Sequence, residues 1–313
     1  MSGPDLTTTI GEVQLASPVM VAAGCAGTGR ELEPFLDLGQ VGGLVTRSVT
    51  LDPRSGEAPP RAVETPAGVL SDTGLQGPGL QGFLATELPW LAQRRVRTVV
   101  SIAGQNLGEW AELARRVGLS PGVTAVEVNL AWPPDSAAAR DSYQAAKILA
   151  AVRRDMPRGI PVLAKVAPLV HSVVDVSRAA VEAGADAIVV GHGLPGMALD
   201  RATLRPALRG GNGFLSGPAL NAVALRCVWE VHAALPEVDL VGSGGVRTGF
   251  DALAMLAAGA RAVQVGSVVL HDPAAPRRIA AELAEELDRR CIPAVAEAVG
   301  RAQRPHPDLT GDA

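Results

Sequence analysis

The sequence predicts a single (β/α)8 barrel, and three observations support this prediction. The chain has 313 residues, of which 47% are hydrophobic, so it can bury one large core. Eight short apolar runs recur along it, as expected for strands that are covered on both faces. Segments with apolar residues at helical spacing separate these runs. Eight strand–helix units in about 250 residues are typical of such a barrel, and a doubly wound open sheet is the rival architecture.

The elements follow in chain order. The predicted strands are PVMVAAG (18–24), GLVTRSV (43–49), TVVSIAG (98–104), AVEVNLA (125–131), PVLAKVA (161–167), AIVVGHG (187–193), DLVGSGG (239–245) and AVQVGSVV (262–269). The clearest predicted helices are LGEWAELARRVG (107–118), SYQAAKILAAVRRDM (142–156), TGFDALAMLAAGA (248–260) and PRRIAAELAEELDRRC (276–291). The last of these segments would be the eighth helix of the barrel.

Two insertions interrupt this alternation. Residues 50–80 are rich in Pro and Gly and have no helical period, so we expect an elaborated loop after the second strand that covers the C-terminal face of the barrel. Residues 194–216 form the second insertion. We expect one domain over residues 1–300 and a disordered tail over residues 301–313, with no internal repeat.

Composition excludes several classes of function. The net charge is −4 and no basic stripe is present, which argues against a nucleic-acid partner. No apolar run approaches the length of a membrane span, and the N-terminus lacks the features of a signal peptide. The cysteines Cys25, Cys227 and Cys291 are odd in number and widely spaced, so they indicate neither a disulfide framework nor a metal site. We therefore expect a cytoplasmic protein.

Glycine turns after the last two predicted strands indicate a phosphate site. GSGG (242–245) and Gly266–Ser267 each lead from a strand into a helical segment. In a (β/α)8 barrel, backbone N–H groups at these two positions commonly hold phosphate, and glycine lets the backbone approach the anion closely. Plain tight turns are the structural alternative.

Two polar residues stand at strand ends on the face that carries the chemistry in such barrels. Lys165 lies in an apolar run, in a chain with 26 Arg and two Lys. A compact ammonium there suits the N1/C2=O edge of a flavin, where reduction creates negative charge. Asn129 can both donate and accept hydrogen bonds toward a planar heterocycle. The structural alternatives are a lysine that reaches solvent at a strand end and an amide that caps the strand.

Longer segments resemble one enzyme family. PPR-x-x-ETPAG (59–68), LAKVAP (163–168), LSGPA-x-x-x-x-ALR (215–226) and VGSGGVRTGFDALAMLAAGARAVQVGS (241–267) resemble class 1 dihydroorotate dehydrogenases, nearest to the branch with an iron–sulfur partner subunit. The resemblance covers residues 7–290 and implies a barrel that holds FMN. It implies that the isoalloxazine is lined by Ala23, Gly24, Arg47, Ser48, Asn129 and Lys165. It places the phosphate end at Ser216, Gly217, Gly244, Gly245, Gly266 and Ser267.

The substrate half departs from the family pattern. Family members resemble N-x-S-C-P-N after the fourth strand, with Cys as the base, whereas this chain reads NLAWPP, with Trp132 at the base position and Pro134 in place of an Asn. Indole only donates hydrogen bonds and cannot act as a base. The remaining pocket positions carry Arg47, Ser71 and His192. We expect His192 to be the proton-transferring residue, with Cys25 as a weaker candidate.

Three functions remain open at this point. The first is an FMN-dependent oxidoreductase that acts on a CH–CH group of a small cyclic substrate other than dihydroorotate. The second is an authentic dihydroorotate dehydrogenase of pyrimidine biosynthesis, and the third is a non-catalytic flavin-binding protein. The catalytic candidates are Lys165, His192 and Asn129. The resemblance also implies a homodimer, alone or with an electron-transfer partner subunit.

Overall fold

The structure is a computed structural model that describes residues 3–133, 136–169 and 171–304. Its strands are β1 (Thr8–Ile10), β2 (Val13–Leu15), β3 (Val19–Val21), β4 (Gly43–Val45), β5 (Ala62–Thr65), β6 (Gly68–Ser71), β7 (Thr98–Ile102), β8 (Val123–Asn129), β9 (Val162–Val166), β10 (Ala187–Val190), β11 (Leu194–Gly196), β12 (Gly213–Ser216), β13 (Asp239–Ser243) and β14 (Ala262–Val265). Its α-helices are α1 (Gly79–Gly82), α2 (Leu88–Gln93), α3 (Leu107–Gly118), α4 (Ser142–Asp155), α5 (Val173–Glu182), α6 (Asn221–Ala234), α7 (Gly249–Ala257), α8 (Ala275–Arg289) and α9 (Val295–Ala298).

The central feature is a closed barrel of eight parallel strands. The strands β3, β4, β7, β8, β9, β10, β13 and β14 are hydrogen-bonded in this order, and β14 closes the ring onto β3. A helix separates each barrel strand from the next along the chain, except between β3 and β4, where residues 22–42 form only turns and bends. The predicted (β/α)8 barrel is therefore confirmed, and closure excludes the doubly wound open sheet.

An antiparallel hairpin closes the N-terminal end of the barrel. Its strands β1 and β2 pair from Thr8 opposite Leu15 to Ile10 opposite Val13. Ile10 and Leu15 pack in one cluster with inward-facing barrel residues such as Met20 and Leu163. The part of the barrel interior next to this hairpin is thus an apolar core. In such barrels the functional residues lie at the opposite, C-terminal end of the strands.

The two insertions form one sheet, which the sequence did not predict. The strand order is β11-β12-β6-β5, and Phe214 of β12 lies opposite Ser71 of β6. The pairing joins residues more than 140 positions apart. No local pattern in either segment indicates it, because each hairpin by itself reads as an irregular loop rich in Pro and Gly. The sheet forms part of the wall above the C-terminal face, where the insertion after the second barrel strand was expected.

The end of the described chain packs against the barrel. Arg301–Gln303 form a turn of 3-10 helix, and the Gln303 amide donates to the carbonyls of Trp229 and Ala258 at 2.9 Å each. Order therefore extends into the predicted tail. Residues 305–313 lie outside the described residues, so disorder there stays a prediction. Within the described ranges, no helix is both long enough and apolar enough to cross a membrane.

Candidate active site

A cavity of about 500 Å³ opens at the C-terminal ends of the barrel strands. It brings together every predicted site residue that the structure describes. These residues are Ala23, Gly24, Arg47, Ser48, Ser71, Asn129, Trp132, Lys165, His192, Ser216, Gly217, Gly244, Gly245, Gly266 and Ser267. Pro134, which was assigned to the substrate pocket, lies outside the described residues. The sheet formed by the two insertions is also part of the cavity wall, because Glu64 and Thr65 of β5 and Phe214 of β12 line the cavity.

Two buried polar side chains that line the cavity, Ser48 and Asn129, are joined in a hydrogen-bond chain with the buried Ser101. The Asn129 side-chain amide donates to the Ser48 hydroxyl at 3.0 Å, and the hydroxyls of Ser48 and Ser101 share a hydrogen bond of 2.9 Å. The Asn129 side-chain oxygen (Oδ1) accepts a hydrogen bond from the Ala131 backbone N–H at 3.2 Å. Asn129 therefore does stabilise the strand end, while its position at the cavity is held by the Ser48 hydroxyl, which is hydrogen-bonded in turn to Ser101 of β7.

Lys165 is only 4% exposed and has two buried partners. Its ammonium donates to the side-chain amide oxygen (Oε1) of Gln264 at 2.8 Å, and Glu127 Oε1 lies 3.4 Å from the same nitrogen. The Gln264 amide in turn donates to Glu127 Oε2 at 2.7 Å. A buried ammonium needs such partners, since an isolated charge in the barrel interior would be strongly destabilising. The lysine is therefore held at the cavity and does not extend to solvent.

Glu127 and Gln264 are functional candidates that the sequence analysis missed. Both side chains are completely buried inside the barrel. A signal was present, because each is a polar residue in an otherwise apolar strand, at AVEVN and AVQVG. Strand alternation points both residues to the same interior as Lys165. What could not be read from the sequence is which strands face one another across the barrel.

The glycine turns that line the cavity have backbone angles and close contacts that disfavour other residues. Gly244 and Gly245 have φ values of 130° and 70°, and Gly217 has a φ of 110°, all unfavourable for other residues. A Cβ on Gly245 would lie 2.6 Å from the Asn221 backbone nitrogen. Gly266 leads directly into the 3-10 helix Ser267–Leu270. These turns are therefore close-packed positions that glycine fits best, and a phosphate bound there stays a prediction.

One polar atom in the cavity wall lacks a protein partner. The Thr65 hydroxyl is buried and has no hydrogen bond within the described part of the chain. Buried hydroxyls are nearly always paired, so this one is expected to meet a ligand or water. Together with the glycine turns and Lys165, it gives the cavity wall several polar groups. The residues present therefore fit a long ligand with a phosphate tail and a polar ring, such as FMN.

His192 lies at the cavity in a neutral state. Burial and the nearby Lys165 lower its pKa to about 4, against a smaller opposing effect of the Gly193 carbonyl. Its Nδ1 is 3.2 Å from that carbonyl oxygen, so Nδ1 carries the proton and Nε2 is left as an acceptor. The ring also makes an edge-to-face contact with the Phe214 ring, with 4.5 Å between the two ring centroids. Such a low pKa makes His192 a weak base at neutral pH, although its assignment as the proton-transferring residue stays a prediction.

Cys25 is a still weaker candidate for a base. Burial raises the pKa of its thiol to about 11, despite the opposing influence of Lys165. At neutral pH the residue is therefore an uncharged thiol, and only the thiolate is a good nucleophile or base. The cysteine lines the cavity as a small side chain.

Trp132 and Arg47 are held by the insertion of residues 50–80. The guanidinium of Arg54 lies over the Trp132 ring, 5.0 Å from its centroid. Arg54 is fixed in turn by hydrogen bonds of 3.0 Å to the Gly74 and Gly77 carbonyls. Arg47 donates to the Gln76 carbonyl at 2.9 Å. Both side chains line the cavity, so the insertion decides the shape of its mouth.

The fold and the cavity together define a class of protein. Glycine turns after the last two strands of a (β/α)8 barrel, with a buried ammonium lining the same cavity, are expected of a flavin-binding barrel enzyme. A family model described as dihydroorotate dehydrogenase matches residues 5–287. The chain belongs to this family, as the sequence motifs predicted. It is accordingly an FMN-dependent oxidoreductase that acts on CH–CH bonds.

Individual relatives support the same assignment. The chain is 42% identical to the dihydroorotate dehydrogenase B (NAD(+)) catalytic subunit of Desulforudis audaxviator, over 94% of this chain and 96% of the relative. It is 39% identical to the catalytic subunit of the same name from Geotalea daltonii, over 96% and 99%. The solved structure of dihydroorotate dehydrogenase from Eimeria tenella in complex with ferulenol aligns with a TM-score of 0.79, at 23% identity over 96% of this chain and 89% of that one. This last likeness shows the fold alone.

Proposed function

We propose that the chain oxidises dihydroorotate, as the catalytic protein of an FMN-dependent step in pyrimidine biosynthesis. The observation that carries the proposal is one cavity lined by the predicted flavin-binding residues, in a chain 42% identical to a dihydroorotate dehydrogenase B catalytic subunit over 94% of its length. Of the three functions that the sequence left open, this proposal is the second, the authentic dihydroorotate dehydrogenase. The relatives favour it over a different cyclic substrate, and family membership speaks against a flavin-binding protein without activity.

The residues of the chain have separate tasks in this proposal. Bound FMN would supply the acceptor for a hydride from the CH–CH bond of the substrate. The turns at Gly244–Gly245 and Gly266–Ser267 would hold its phosphate. Lys165 would stabilise negative charge at the edge of the ring, and Asn129 would help to orient the reacting faces. The insertion sheet would exclude water from the chamber.

A second candidate substrate is favoured by one observation. Trp132 stands in the cavity wall where the family resemblance expects a cysteine base, and Arg54 fixes its ring there. Neither His192 nor Cys25 replaces that base well, because His192 has a pKa of about 4 and Cys25 a pKa of about 11. An indole wall suits a flatter or less polar ring than dihydroorotate. The same enzyme class would then act on a different cyclic CH–CH compound.

One experiment separates the two candidates. The purified FMN-loaded protein is mixed anaerobically with dihydroorotate and, in parallel, with less polar saturated and unsaturated cyclic compounds, while flavin absorbance is followed. Prompt bleaching with dihydroorotate supports the first candidate. Bleaching with another compound and none with dihydroorotate supports the second. A folded protein that binds no FMN after reconstitution contradicts both.

The route by which electrons leave the enzyme is part of the proposal. The relatives are called catalytic subunits, which supports a separate electron-transfer subunit for this chain too. The chain has three cysteines, and protein-bound iron–sulfur clusters generally need four cysteine ligands. We also propose a homodimer, on family likeness alone. Light scattering on the purified protein, with and without a candidate partner, measures both assemblies, and a monomer under all conditions would contradict the dimer.

A further inference from the structure

A polar layer lies inside the barrel directly beneath the cavity. It consists of Glu127 on β8, Lys165 on β9 and Gln264 on β14, which are 0%, 4% and 0% exposed. The layer below it is apolar and includes Ala125, Leu163 and Ala262, each two positions earlier on the same strand. Because side chains on a strand alternate between faces, the three polar residues point into the same interior. Only Lys165 of the three also lines the cavity.

The Gln264 amide joins the positive and the negative member of this layer. Its oxygen accepts from the Lys165 ammonium at 2.8 Å, and its nitrogen donates to Glu127 Oε2 at 2.7 Å. An amide is suited to this place, because it accepts at one end and donates at the other. The second Glu127 oxygen lies 3.4 Å from the ammonium and has no hydrogen bond within the described residues. Glu127 thus acts on Lys165 both directly, through its charge, and through Gln264.

We propose that Glu127 and Gln264 are positioning residues that set the charge and the direction of Lys165 at the flavin edge. The carboxylate partly offsets the ammonium, so the flavin meets a moderated positive field instead of a full unit charge. The hydrogen bond that Lys165 donates to the Gln264 side-chain oxygen uses one of its three N–H groups and so fixes the direction of the ammonium. The inference rests on FMN binding by the chain and is independent of which substrate is oxidised.

Sulfite binding to the oxidised flavin measures this field without any turnover. Sulfite adds to N5 of the ring, and the added negative charge is delocalised to the N1/C2=O edge. Its dissociation constant therefore reports positive charge at that edge. In Glu127→Gln the counter-charge is lost at nearly constant shape. We expect the sulfite dissociation constant to fall by at least about tenfold, because the positive charge at the flavin edge is no longer offset.

An exchange variant gives a matched rescue. Glu127→Gln combined with Gln264→Glu moves the carboxylate from β8 to β14 and keeps one carboxylate and one amide beside Lys165. We expect this double variant to return the sulfite dissociation constant to within about threefold of the parent, since the net charge beside the ammonium is restored. The melting temperature of the apoprotein is measured in parallel for each variant. A purely structural role would lower that temperature and leave the sulfite affinity of the folded, FMN-loaded protein unchanged.

Gln264→Met provides the test where a carboxylate variant does not fold, because it removes the bridging amide and keeps both charges. The expected result is again a shifted sulfite dissociation constant in protein that still binds FMN. Parental sulfite affinity in every folded variant, or no recovery in the exchange variant, would overturn the proposal. Failure to oxidise dihydroorotate would not, since sulfite needs no substrate.

Discussion

At the scale of single residues, Lys165 shows how burial selects a side chain. The chain uses Arg for almost every cation and keeps Lys at two positions, one of them inside the barrel. The five donors of a guanidinium could not all be satisfied between Glu127 and Gln264, whereas an ammonium is compact and has three. The sequence bias toward Arg was therefore a usable sign that Lys165 has a specific role.

The first prediction concerns the stability of this buried pair. Lys165→Met leaves Glu127 as a buried charge without a cation, so we expect the free energy of unfolding of the apoprotein to fall by about 3–5 kcal/mol. Adding Glu127→Gln removes the unpaired charge and should recover most of that loss. Denaturant unfolding of both variants measures the difference. A double variant no more stable than Lys165→Met would show that the carboxylate carries no charge in the folded protein.

His192 gives a prediction for the dependence of stability on pH. Its pKa is lowered from 6.5 to about 4 in the folded chain, so between these values the unfolded state binds a proton that the native state does not. Stability is therefore lost as pH falls through this window and is regained above it. From pH ~7 to pH ~4.5 we expect the parent to lose about 2 kcal/mol more than His192→Gln in denaturant unfolding. Equal losses in the two proteins would show that the pKa of His192 is not depressed.

Trp132 allows a gain-of-function prediction. If the missing base limits dihydroorotate oxidation, Trp132→Cys should raise the rate of anaerobic flavin reduction by at least about tenfold, since a positioned base contributes roughly 10²–10⁴-fold. Trp132→Ala is the control, because it opens the same space without a thiol. Equal rates in the two variants would indicate that the indole restricts space and that proton transfer does not limit the reaction.

At the scale of elements, the insertion sheet makes the second wall of the cavity. Gly68 of β6 packs against the Ser216 carbonyl so closely that a Cβ there would overlap it. We expect Gly68→Ala to weaken FMN binding by at least about tenfold, because it displaces the strand that carries Ser216 and overpacking costs about 1–3 kcal/mol. Gly77→Ala in the same insertion is the control, since its Cβ would meet only the Leu75 carbonyl at 3.8 Å. Fluorescence titration of the apoproteins with FMN compares the two, and equal affinities would contradict the role of this contact.

The elements also show what can be predicted from sequence. The helix LGEWAELARRVG was predicted at 107–118 from its regular apolar spacing, and α3 lies there. The structure adds that Asn106 caps this helix. The barrel strands were found with their ends extended by a few residues, since glycine turns after them continue the apolar runs. The insertion sheet was missed because its pairing is long-range. The cavity residues were found through motifs, whereas Glu127 and Gln264 required knowledge of the barrel interior.

At the scale of the whole molecule, the two ends of the barrel have different tasks. The hairpin of β1 and β2 closes the N-terminal end with apolar contacts, and the burial of these side chains stabilises the fold. The C-terminal end carries glycine turns with positive φ, a buried ion pair and a Thr65 hydroxyl that has no hydrogen bond among the described residues. Such a division is expected of barrel enzymes, where the strand ends provide the chemistry. The described molecule is therefore organised around a site that is completed by its cofactor.

We expect the cavity to hold FMN between the glycine turns and Lys165, and a crystal structure of the FMN-loaded protein would show its position. The expected arrangement has the phosphate at Gly244–Gly245 and Gly266–Ser267, and the polar edge of the ring in hydrogen-bonding contact with Lys165. A flavin bound elsewhere, or one whose ring does not contact Lys165 while the ammonium contacts only Glu127 and Gln264, would contradict it.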